Sequence, residues 1–346
     1  MKKLILALVV TFVFAGIFIA WLTFGSATAF SSSQKYLYLY DNRPVKEQTQ
    51  QQLSDSNYIH NVWWFNILAN RFDVWQRLKG GRFEIKRGES MLAIIKTLRN
   101  NRQAPARLVI NKLRTANDFA KLIGKNFSTD SVQALSYFTN NDSLKPLGVD
   151  TNTLLTLVIP DTYILYWNTS LPTIMRRLED EKNKFWEENN RTEMATAMGF
   201  TPVQIVTLAS IVEEETNKSD EKGNIASVYI NRYRKGQALG ADPTIKFALK
   251  NFGLKRILYG HLNVVSPYNT YKNKGLPPGP ICTPSVKTID AVLHAPQTDY
   301  FFFVARSDFN GYHHFSSNFA EHQQYAKLYQ HALDSLIKSR QTGARE

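Results

Sequence analysis

Three consecutive glutamates at positions 213–215 end an apolar helical pattern in a chain that is otherwise basic. Thr201, Pro202 and Gln204 supply an N-cap, a proline for the first helical position and a capping-box partner, so we predict a helix that begins at residue 202. At 100° per residue, Glu213 falls at the border of the apolar face, whereas Glu214 faces solvent. Glu213 is therefore the member of the triplet best placed to do chemistry.

The position of Glu213 predicts a raised pKa. A carboxyl group at the border of an apolar face is partly desolvated, and the charges of Glu214 and Glu215 also disfavour its ionisation. A raised pKa makes a carboxylic acid usable as a general acid near neutral pH. The competing interpretation is that all three glutamates are solvated groups in the last turn of a helix, where they slightly oppose the helix dipole.

The amino terminus carries a candidate membrane segment. Residues 4–24 contain no charged side chain, and as a helix they would rise about 30 Å, which matches a bilayer core. The ATA sequence at 27–29 would suit signal-peptide cleavage, but the apolar run is longer than the usual core of about 7–15 residues. Because Lys2 and Lys3 precede the run and the next basic residue is Lys35, we predict an uncleaved single-pass anchor in the inner (cytoplasmic) membrane, with a cytoplasmic amino terminus and an exported body.

Charge and cysteine content narrow the possible partners. Lys and Arg outnumber Asp and Glu by 13, and an exported protein of this charge meets anionic lipid headgroups and wall polymers, so no nucleic acid partner is predicted. A basic surface that only aids solubility explains the charge equally well. The single Cys282 rules out an internal disulfide, and without a Cys/His cluster we predict no metal site and no cofactor.

Strand and helix patterns are mixed without strict alternation, which predicts an α+β fold. The alternation in residues 36–41 (YLYLYD) predicts a strand. Residues 81–101 predict a strand, a tight turn at Gly88 and a helix capped by Ser90, with Leu92, Ile95 and Leu98 on its apolar side. Residues 110–123 repeat this plan with Thr115 in the capping position. The two units resemble the LysM module, which binds the amino-sugar backbone of peptidoglycan and chitin; plain βα packing units are the alternative.

The remaining chain is predicted to be mostly helical. Residues 171–190 carry opposite charges at i,i+4 spacings and predict an exposed helix. Residues 283–296 predict a capped helix that a proline ends, and residues 300–316 predict a β-hairpin that turns at Asn310-Gly311. A last helix is expected from residue 318 to about residue 338.

Five ordered segments carry a family resemblance: LASIVEEET (208–216), IASVYINRYRKG (225–236), ADPTI (241–245), YNTY (268–271) and GLPPGPI (275–281). Together they resemble the MltG (YceG-like) family of membrane-anchored endolytic lytic transglycosylases, which act on peptidoglycan. The resemblance covers roughly residues 82–330. The catalytic glutamate of that family is the first acid after the LASIV pattern, so the resemblance points to Glu213, the residue that the helical pattern also selects.

The resemblance implies cleavage of the MurNAc-β-1,4-GlcNAc bond of nascent peptidoglycan, leaving 1,6-anhydro-MurNAc ends. One glutamate acts first as acid and then as base, whereas ordinary glycosidases use two carboxylates. Asp242 is the obvious second carboxylate for a muramidase-type hydrolase, although its DPT sequence predicts a turn in which Asp caps the backbone. A non-catalytic, membrane-anchored peptidoglycan-binding scaffold is a further alternative.

Residues in the matched segments are expected to bind or orient the glycan strand. Aromatic faces suit pyranose stacking and amides suit hydroxyl or N-acetyl groups, although turn formation and core packing explain the same residues. His314 is preferred to His313, because the two alternate faces of the predicted hairpin. The predicted substrate-binding set is Asp242, Thr244, Tyr268, Asn269, Tyr271, Tyr163, Asn231 and His314. The resemblance also implies cooperation with the penicillin-binding synthases of the wall machinery.

The sequence predicts five segments. They are a cytoplasmic tip and transmembrane anchor (1–25), a linker (26–34), an amino-terminal region with LysM-like units (35–150), a catalytic transglycosylase domain (151–340) and a polar tail (341–346).

Overall fold

The computed structural model describes residues 2–342, with side chains through residue 338. The chain divides into two compact units. The first contains Met1–Leu108, Ile123–Asp130 and Ile164–Ser170, and the second contains Val109–Leu122, Ser131–Tyr163 and Leu171–Glu346. Helices and strands are mixed along the chain, as the sequence predicts. The predicted polar tail lies mostly outside the described residues.

The first unit is built from helices and two-stranded sheets. Its elements are α1 (Lys2–Phe24), β1 (Gln34–Leu39), α2 (Val45–Asp55), α3 (Val62–Arg71), α4 (Val74–Arg77), β2 (Gly81–Lys86), α5 (Met91–Arg99) and β3 (Pro105–Val109). β1 pairs antiparallel with β2 in the register Leu37↔Phe83. The inward side chains of this pair join α3 and α5 in one apolar core.

Helix α1 is long and apolar enough to cross a membrane, and its apolar side chains are exposed. The helix ends beside folded structure, because Trp64 Nε1 donates a hydrogen bond to Thr23 Oγ1 at 3.2 Å. Part of the predicted linker at 26–34 also belongs to the fold. Ala27 and Thr28 are buried, and the Ala27 amide donates to the Glu89 carbonyl at 2.8 Å.

The first predicted βα unit forms, whereas in the second only the helix begins within the predicted residues 110–123, because strand β3 ends at Val109. Ser90 caps α5 by accepting from the Ala93 amide, and Gly88 takes a φ of +84°, which favours glycine. The buried side of α5 includes Ile94 rather than the predicted Leu92, because the helix begins at Met91. Thr115 Oγ1 accepts from the Asp118 amide at 3.1 Å at the start of α6 (Ala116–Asn126). Their resemblance to LysM modules stays a prediction.

The second unit continues with a helical core and a carboxyl-terminal hairpin. Its elements are α7 (Ser131–Phe138), α8 (Asn141–Leu144), α9 (Leu171–Glu187), α10 (Arg191–Ala197), α11 (Pro202–Glu215), α12 (Lys222–Arg234), α13 (Asp242–Ala248), α14 (Val286–Leu293), β5 (Phe302–Ala305), β6 (His313–Ser316) and α15 (Phe319–Thr342). Strand β4 (Thr162–Tyr166), of which residues 164–166 belong to the first unit, pairs with β3 of that unit. Short 3-10 turns span Lys145–Leu147, Leu154–Leu157, Glu188–Asn190 and Tyr259–Asn263.

Helix α11 lies at the centre of the second unit. The predicted capping box forms between Thr201 and Gln204, and Pro202 occupies the first helical position. The next two turns, from Ile205 through Val212, are buried on every side against α12 and α14. A helix buried all round has its ends fixed by its neighbours, so the acids at its carboxyl end are held in defined surroundings.

Two predictions about the outer elements need correction. α9 buries one apolar side, including Ile174, Leu178 and Trp186, so it is amphipathic rather than an exposed helix; the predicted i,i+4 pairs appear on its other side, as between Arg177 and Glu181 at 2.6 Å. The hairpin forms, but β5 ends at Ala305 and β6 begins at His313. Its turn is therefore a seven-residue loop and not a two-residue Asn-Gly turn.

Candidate active site

One oxygen of the Glu213 carboxylate is held by several donors. Oε2 accepts from Lys222 Nζ at 2.9 Å, from Ser285 Oγ at 3.0 Å and from Thr288 Oγ1. The Lys222 ammonium also donates to Thr288 Oγ1 at 2.5 Å. The other oxygen, Oε1, lies 3.9 Å from Lys112 Nζ. The carboxylate is thus fixed through Oε2, and Oε1 has only a distant cation beside it.

The prediction of a raised pKa for Glu213 is wrong. Burial alone raises it, but the hydrogen bonds from Thr288 and Lys222, the Lys222 charge and the Ser285 hydrogen bond outweigh burial, so the pKa is lowered. The raised pKa was predicted from the neighbouring acids, without the contribution of Lys222, whose side chain is only 9% exposed. Glu213 is therefore ionised in this structure at neutral pH.

The helical pattern predicted that Glu214 faces solvent, but in the structure it does not. Its carboxylate forms an ion pair with Lys112 Nζ at 3.0 Å. Arg114 Nη2 donates to both of its oxygens, to Oε1 at 3.1 Å and to Oε2 at 3.0 Å. Burial raises the pKa of Glu214, yet the hydrogen bonds and charges of Lys112 and Arg114 lower it overall. The side chain that we expected to be solvated instead ties α11 to the segment before α6.

Glu215 is the acid of the triplet with a raised pKa. Burial is the main cause that raises the pKa of Glu215 to about 7, and the charge of Asp242 raises it further. The hydrogen bond from the Tyr229 hydroxyl acts in the opposite direction and lowers it. Glu215 therefore belongs to a second polar cluster with α12 and α13. Its interior contact with Tyr229 supports a structural role.

The loop before α14 brings Ser285 to Glu213. Ser210 Oγ accepts from the Ile281 amide at 3.0 Å, and Leu113 and Thr283 exchange two hydrogen bonds of 2.8 Å and 2.9 Å. Ser285 occupies the N-cap position of α14, within the predicted helical segment 283–296, but its hydroxyl makes no capping bond. That hydroxyl goes to Glu213 instead, so the helix start serves the carboxylate.

Asp242 is also placed differently from the prediction. It is the first residue of α13, and the N-cap is Ala241, which has no side-chain capping bond. The Asp242 carboxylate accepts from Tyr271 Oη at 2.5 Å. Asp242 and Tyr271 thus come together in the cluster of Glu215, away from the contacts of Glu213.

Two residues of the predicted substrate set lie fully inside the fold. Thr244 donates to the Ala241 carbonyl at 2.6 Å and pairs with Thr270 at 2.8 Å. Asn269 donates to the carbonyls of Leu262 and Val264 at 2.9 Å and 2.8 Å. Both side chains are 0% exposed, which favours a role in shaping the loops over direct sugar contact.

The other predicted residues lie in three different places. Tyr163 is buried and donates to the Ile159 carbonyl at 2.5 Å, and Asn231 donates to the carbonyls of Thr298 and Tyr300. His314 stacks on the Tyr325 ring at 4.1 Å, whereas His313 Nδ1 lies 2.9 Å from Glu221. Tyr268 lines a cavity beside Arg114, and burial raises its pKa to about 12.

Sequence reasoning missed the residues that hold Glu213. Lys222 starts a helix and is followed by the apolar IASV run, so it resembled an ordinary first-turn lysine. Ser285 and Thr288 form an S-x-x-T pattern that is typical of a helix start. The useful signal was a basic residue and hydroxyls at otherwise buried helix starts, and only the folded chain shows that they converge. Among the described residues, no group of three or more His, Cys, Asp or Glu side chains has the arrangement of a metal site.

The arrangement is suited to proton transfer by a single carboxylate. Its contacts in the described part of the chain are with ammonium and hydroxyl groups, which fix its orientation through one oxygen. A side chain fixed in this way presents its other oxygen without rotamer freedom.

Comparison with known proteins finds a matching family and several similar chains. A model of the YceG-like family matches residues 44–328. A protein named endolytic murein transglycosylase from Bacillus subtilis is 36% identical over 162 residues, which are 47% of this chain and 44% of that protein. One of the same name from Streptococcus pneumoniae is 30% identical over 154 residues, 43% of this chain and 27% of that protein. The matches thus span less than half the length of these relatives.

Among solved structures, the crystal structure of a YceG-like protein from Listeria monocytogenes is similar. Its sequence is 25% identical, the TM-score is 0.56, and the match covers 85% of this chain and 99% of that one. The family model covers most of the chain, from α2 into α15. The chain therefore belongs to the YceG-like family.

Proposed function

We propose that this protein is a membrane-anchored endolytic murein transglycosylase that uses Glu213 first as acid and then as base. The names of the two bacterial relatives support the class of reaction. The observation that carries the assignment of the residue is the asymmetry of the Glu213 carboxylate. Three donors hold Oε2, while Oε1 remains for the substrate.

The proposed reaction needs one carboxyl group and no water. Glu213 donates its proton to the oxygen of the MurNAc-β-1,4-GlcNAc bond, the bond from C1 to that oxygen breaks, and the GlcNAc hydroxyl leaves. The carboxylate then takes the proton of the MurNAc C6 hydroxyl, whose oxygen bonds to C1. The product is a 1,6-anhydro-MurNAc end, and Glu213 is protonated again.

The lowered pKa of Glu213 sets a condition on this mechanism. The first step needs the protonated acid, whereas the surroundings of the unbound site favour the carboxylate. A bound sugar would exclude water from Oε1 and separate it from the half-exposed Lys112 ammonium, and both changes raise a carboxyl pKa. Lys222 stays with Oε2 and favours the carboxylate that the second step uses.

Helix α1 supports the proposed location. We propose that it anchors the protein in the inner membrane with Lys2 and Lys3 on the cytoplasmic side, so that the folded units meet nascent peptidoglycan. Cooperation with penicillin-binding synthases is part of the same proposal and rests on the family resemblance.

Removal of the Glu213 carboxyl group tests the assignment. In full-length protein in detergent micelles, we expect Glu213→Gln to lower the release of fragments from un-crosslinked peptidoglycan at least about 100-fold, the usual range for loss of a general acid. Glu193→Gln is the matched control, because Glu193 is an exposed glutamate of α10. Normal activity of a folded Glu213→Gln protein would contradict the proposal.

A further inference from the structure

A cavity of about 180 Å³ lies beside Arg114 in the second unit. A cavity of about 150 Å³ is enough for a benzene-sized molecule, so this one has room for a small organic group. Its floor is apolar and buried, and it includes Leu154, Leu155 and Phe247. Two of the family segments supply walls, through Tyr268 of YNTY and Pro280 of GLPPGPI.

The loop wall is set by a close approach of two backbones. A Cβ on Gly279 would lie 2.1 Å from the Asn152 carbonyl oxygen, so only glycine allows this contact. Gly279 therefore brings Pro280 against the segment that contains Asn152. The cavity is a built feature of this loop and not a gap between mobile side chains.

The charged groups that line the cavity are donors, and Thr115, Thr151 and Asn152 add hydroxyl and amide groups that can donate or accept. Arg114 Nε is buried and has no hydrogen-bond partner among the described residues. Lys250 Nζ lies 3.9 Å from the centre of the Phe247 ring, at the rim. Tyr268 Oη is 3.5 Å from Asn152 Oδ1, a weak contact that leaves the hydroxyl able to donate elsewhere. Arg and Lys can only donate, so a ligand of this cavity must be rich in acceptor oxygens.

The acids near the cavity are already engaged. Glu214 binds Lys112 and Arg114, Asp118 accepts the amides of Arg114 and Thr115, and Asp150 accepts from Thr153 and Asn152. The charges of the three acids are thus balanced by those of three cations, Lys112, Arg114 and Lys250. Arg114 Nε is enclosed, so the donors that a ligand can reach are those of Lys250 and Tyr268 above an apolar floor, a combination that suits a carboxylate carried on a small aliphatic group.

We propose that this cavity is a carboxylate-binding subsite that receives the peptide stem of a peptidoglycan strand. The inference rests on the proposed function, which supplies the strand as substrate. Arg114 joins the cavity to the active site, because it is bonded to Glu214, the neighbour of Glu213. Occupation of the subsite selects strands that still carry stems.

Binding measurements test the subsite separately from cleavage. The probes are fluorescent un-crosslinked peptidoglycan strands, either with stems or with the stems removed by an amidase, and the protein is the full chain carrying Glu213→Gln. We expect strands with stems to bind more tightly. Lys250→Asn should weaken their binding about tenfold and leave stem-free strands within about twofold. Asn suits the left-handed backbone of Lys250, whose φ is +53°.

The controls separate a carboxylate from other ligands. Lys235→Asn removes an exposed lysine of the same unit and should change neither affinity. A released stem peptide should compete as the free acid but not when its carboxyl groups are amidated, and inorganic phosphate should not match it. Equal binding of both strands, or equal loss on both with Lys250→Asn, would overturn the subsite. If binding follows the stems but the wild-type protein does not cleave the same strands, the proposed function is rejected and the subsite is not.

Discussion

Glu213 lies between two opposing influences, burial that disfavours its charge and a buried ammonium that favours it. The lowering influence on the pKa prevails because Thr288, Lys222 and Ser285 all donate to Oε2, and the Lys222 ammonium, at 2.9 Å, is itself shielded from water. In the proposed reaction the carboxyl group must pass between both protonation states. The charge balance around it is therefore expected to control the pH dependence of activity.

Replacing Lys222 tests this balance. Lys222→Met removes the cation beside Glu213 and should raise the pKa of that carboxyl group. The alkaline limb of the kcat/KM profile reports loss of the proton from the general acid, so we expect it to move to higher pH by about one unit or more. Stability should also fall by about 3 kcal/mol, because breaking a buried ion pair leaves an uncompensated charge.

Lys222→Arg and Lys235→Met are the controls for this change. Arginine keeps the positive charge and should leave the alkaline limb near its wild-type position, and Lys235 is exposed. An unshifted pH profile in active, folded Lys222→Met protein would show that Lys222 does not tune Glu213.

Glu215 predicts a pH dependence of stability. Its pKa is raised from 4.5 to about 7 in the folded state, so this group contributes stability below pH 4.5 that is lost as the pH rises through 7. The upper bound of the effect is about 3 kcal/mol, from 1.36 kcal/mol per pKa unit. We expect Glu215→Gln, which can still accept from Tyr229, to remove this component.

Thermal melting at pH 5 and pH 7.5 measures the Glu215 effect. The wild type should lose more stability between the two values than Glu215→Gln does. Equal losses would mean that Glu215 is ionised in the folded protein at both pH values.

Among the elements, α11 begins where the local sequence predicts, whereas tertiary packing determines the surroundings of its last turn. Its start is determined by the capping box of Thr201 and Gln204 and by Pro202 at the first helical position, as predicted. The surroundings of its last turn come from α12, α14 and residues 110–114, which are distant in the chain. The start of the helix was therefore predictable, but the partners and the pKa of Glu213 were not.

Two hydroxyl groups at helix starts should respond differently to removal. Thr201→Ala deletes a real cap and should lower stability by about 1 kcal/mol without moving the pH profile. Ser285→Ala deletes no capping bond, so its main effect should be a shift of the alkaline limb to higher pH, through Glu213. Melting curves and pH profiles of both variants distinguish these roles; identical behaviour of the two would contradict the assignment of Ser285.

In the whole molecule, the sequence predicted the broad features, but contacts between distant residues cross the predicted segments. The apolar run gives α1, and mixed patterns give mixed helices and strands. The predicted catalytic segment 151–340 excludes Lys112 and Arg114, which contact the glutamate triplet. Such long-range charge pairs leave no local pattern, because each partner alone is an ordinary surface residue in sequence.

The proposed topology can be tested with a membrane-impermeant maleimide. Cys282 is buried and its thiol pKa is raised by burial, so the native chain should give little labelling. We expect Asp308→Cys, in the exposed hairpin loop, to be labelled when the reagent reaches the outer face of the inner membrane. Lys3→Cys should be labelled only after that membrane is permeabilised, and the reverse pattern would refute an exported body.

Mass spectrometry of the glycan ends is the most direct test of the central claim. Full-length wild-type protein and the Glu213→Gln variant are incubated in parallel with un-crosslinked peptidoglycan. The masses of the new MurNAc ends are then measured. The proposed mechanism predicts 1,6-anhydro ends, lighter by one water than reducing ends, from the wild type only. Reducing MurNAc ends would contradict it, because they require water as the nucleophile and would return Asp242 to consideration as a second catalytic carboxylate.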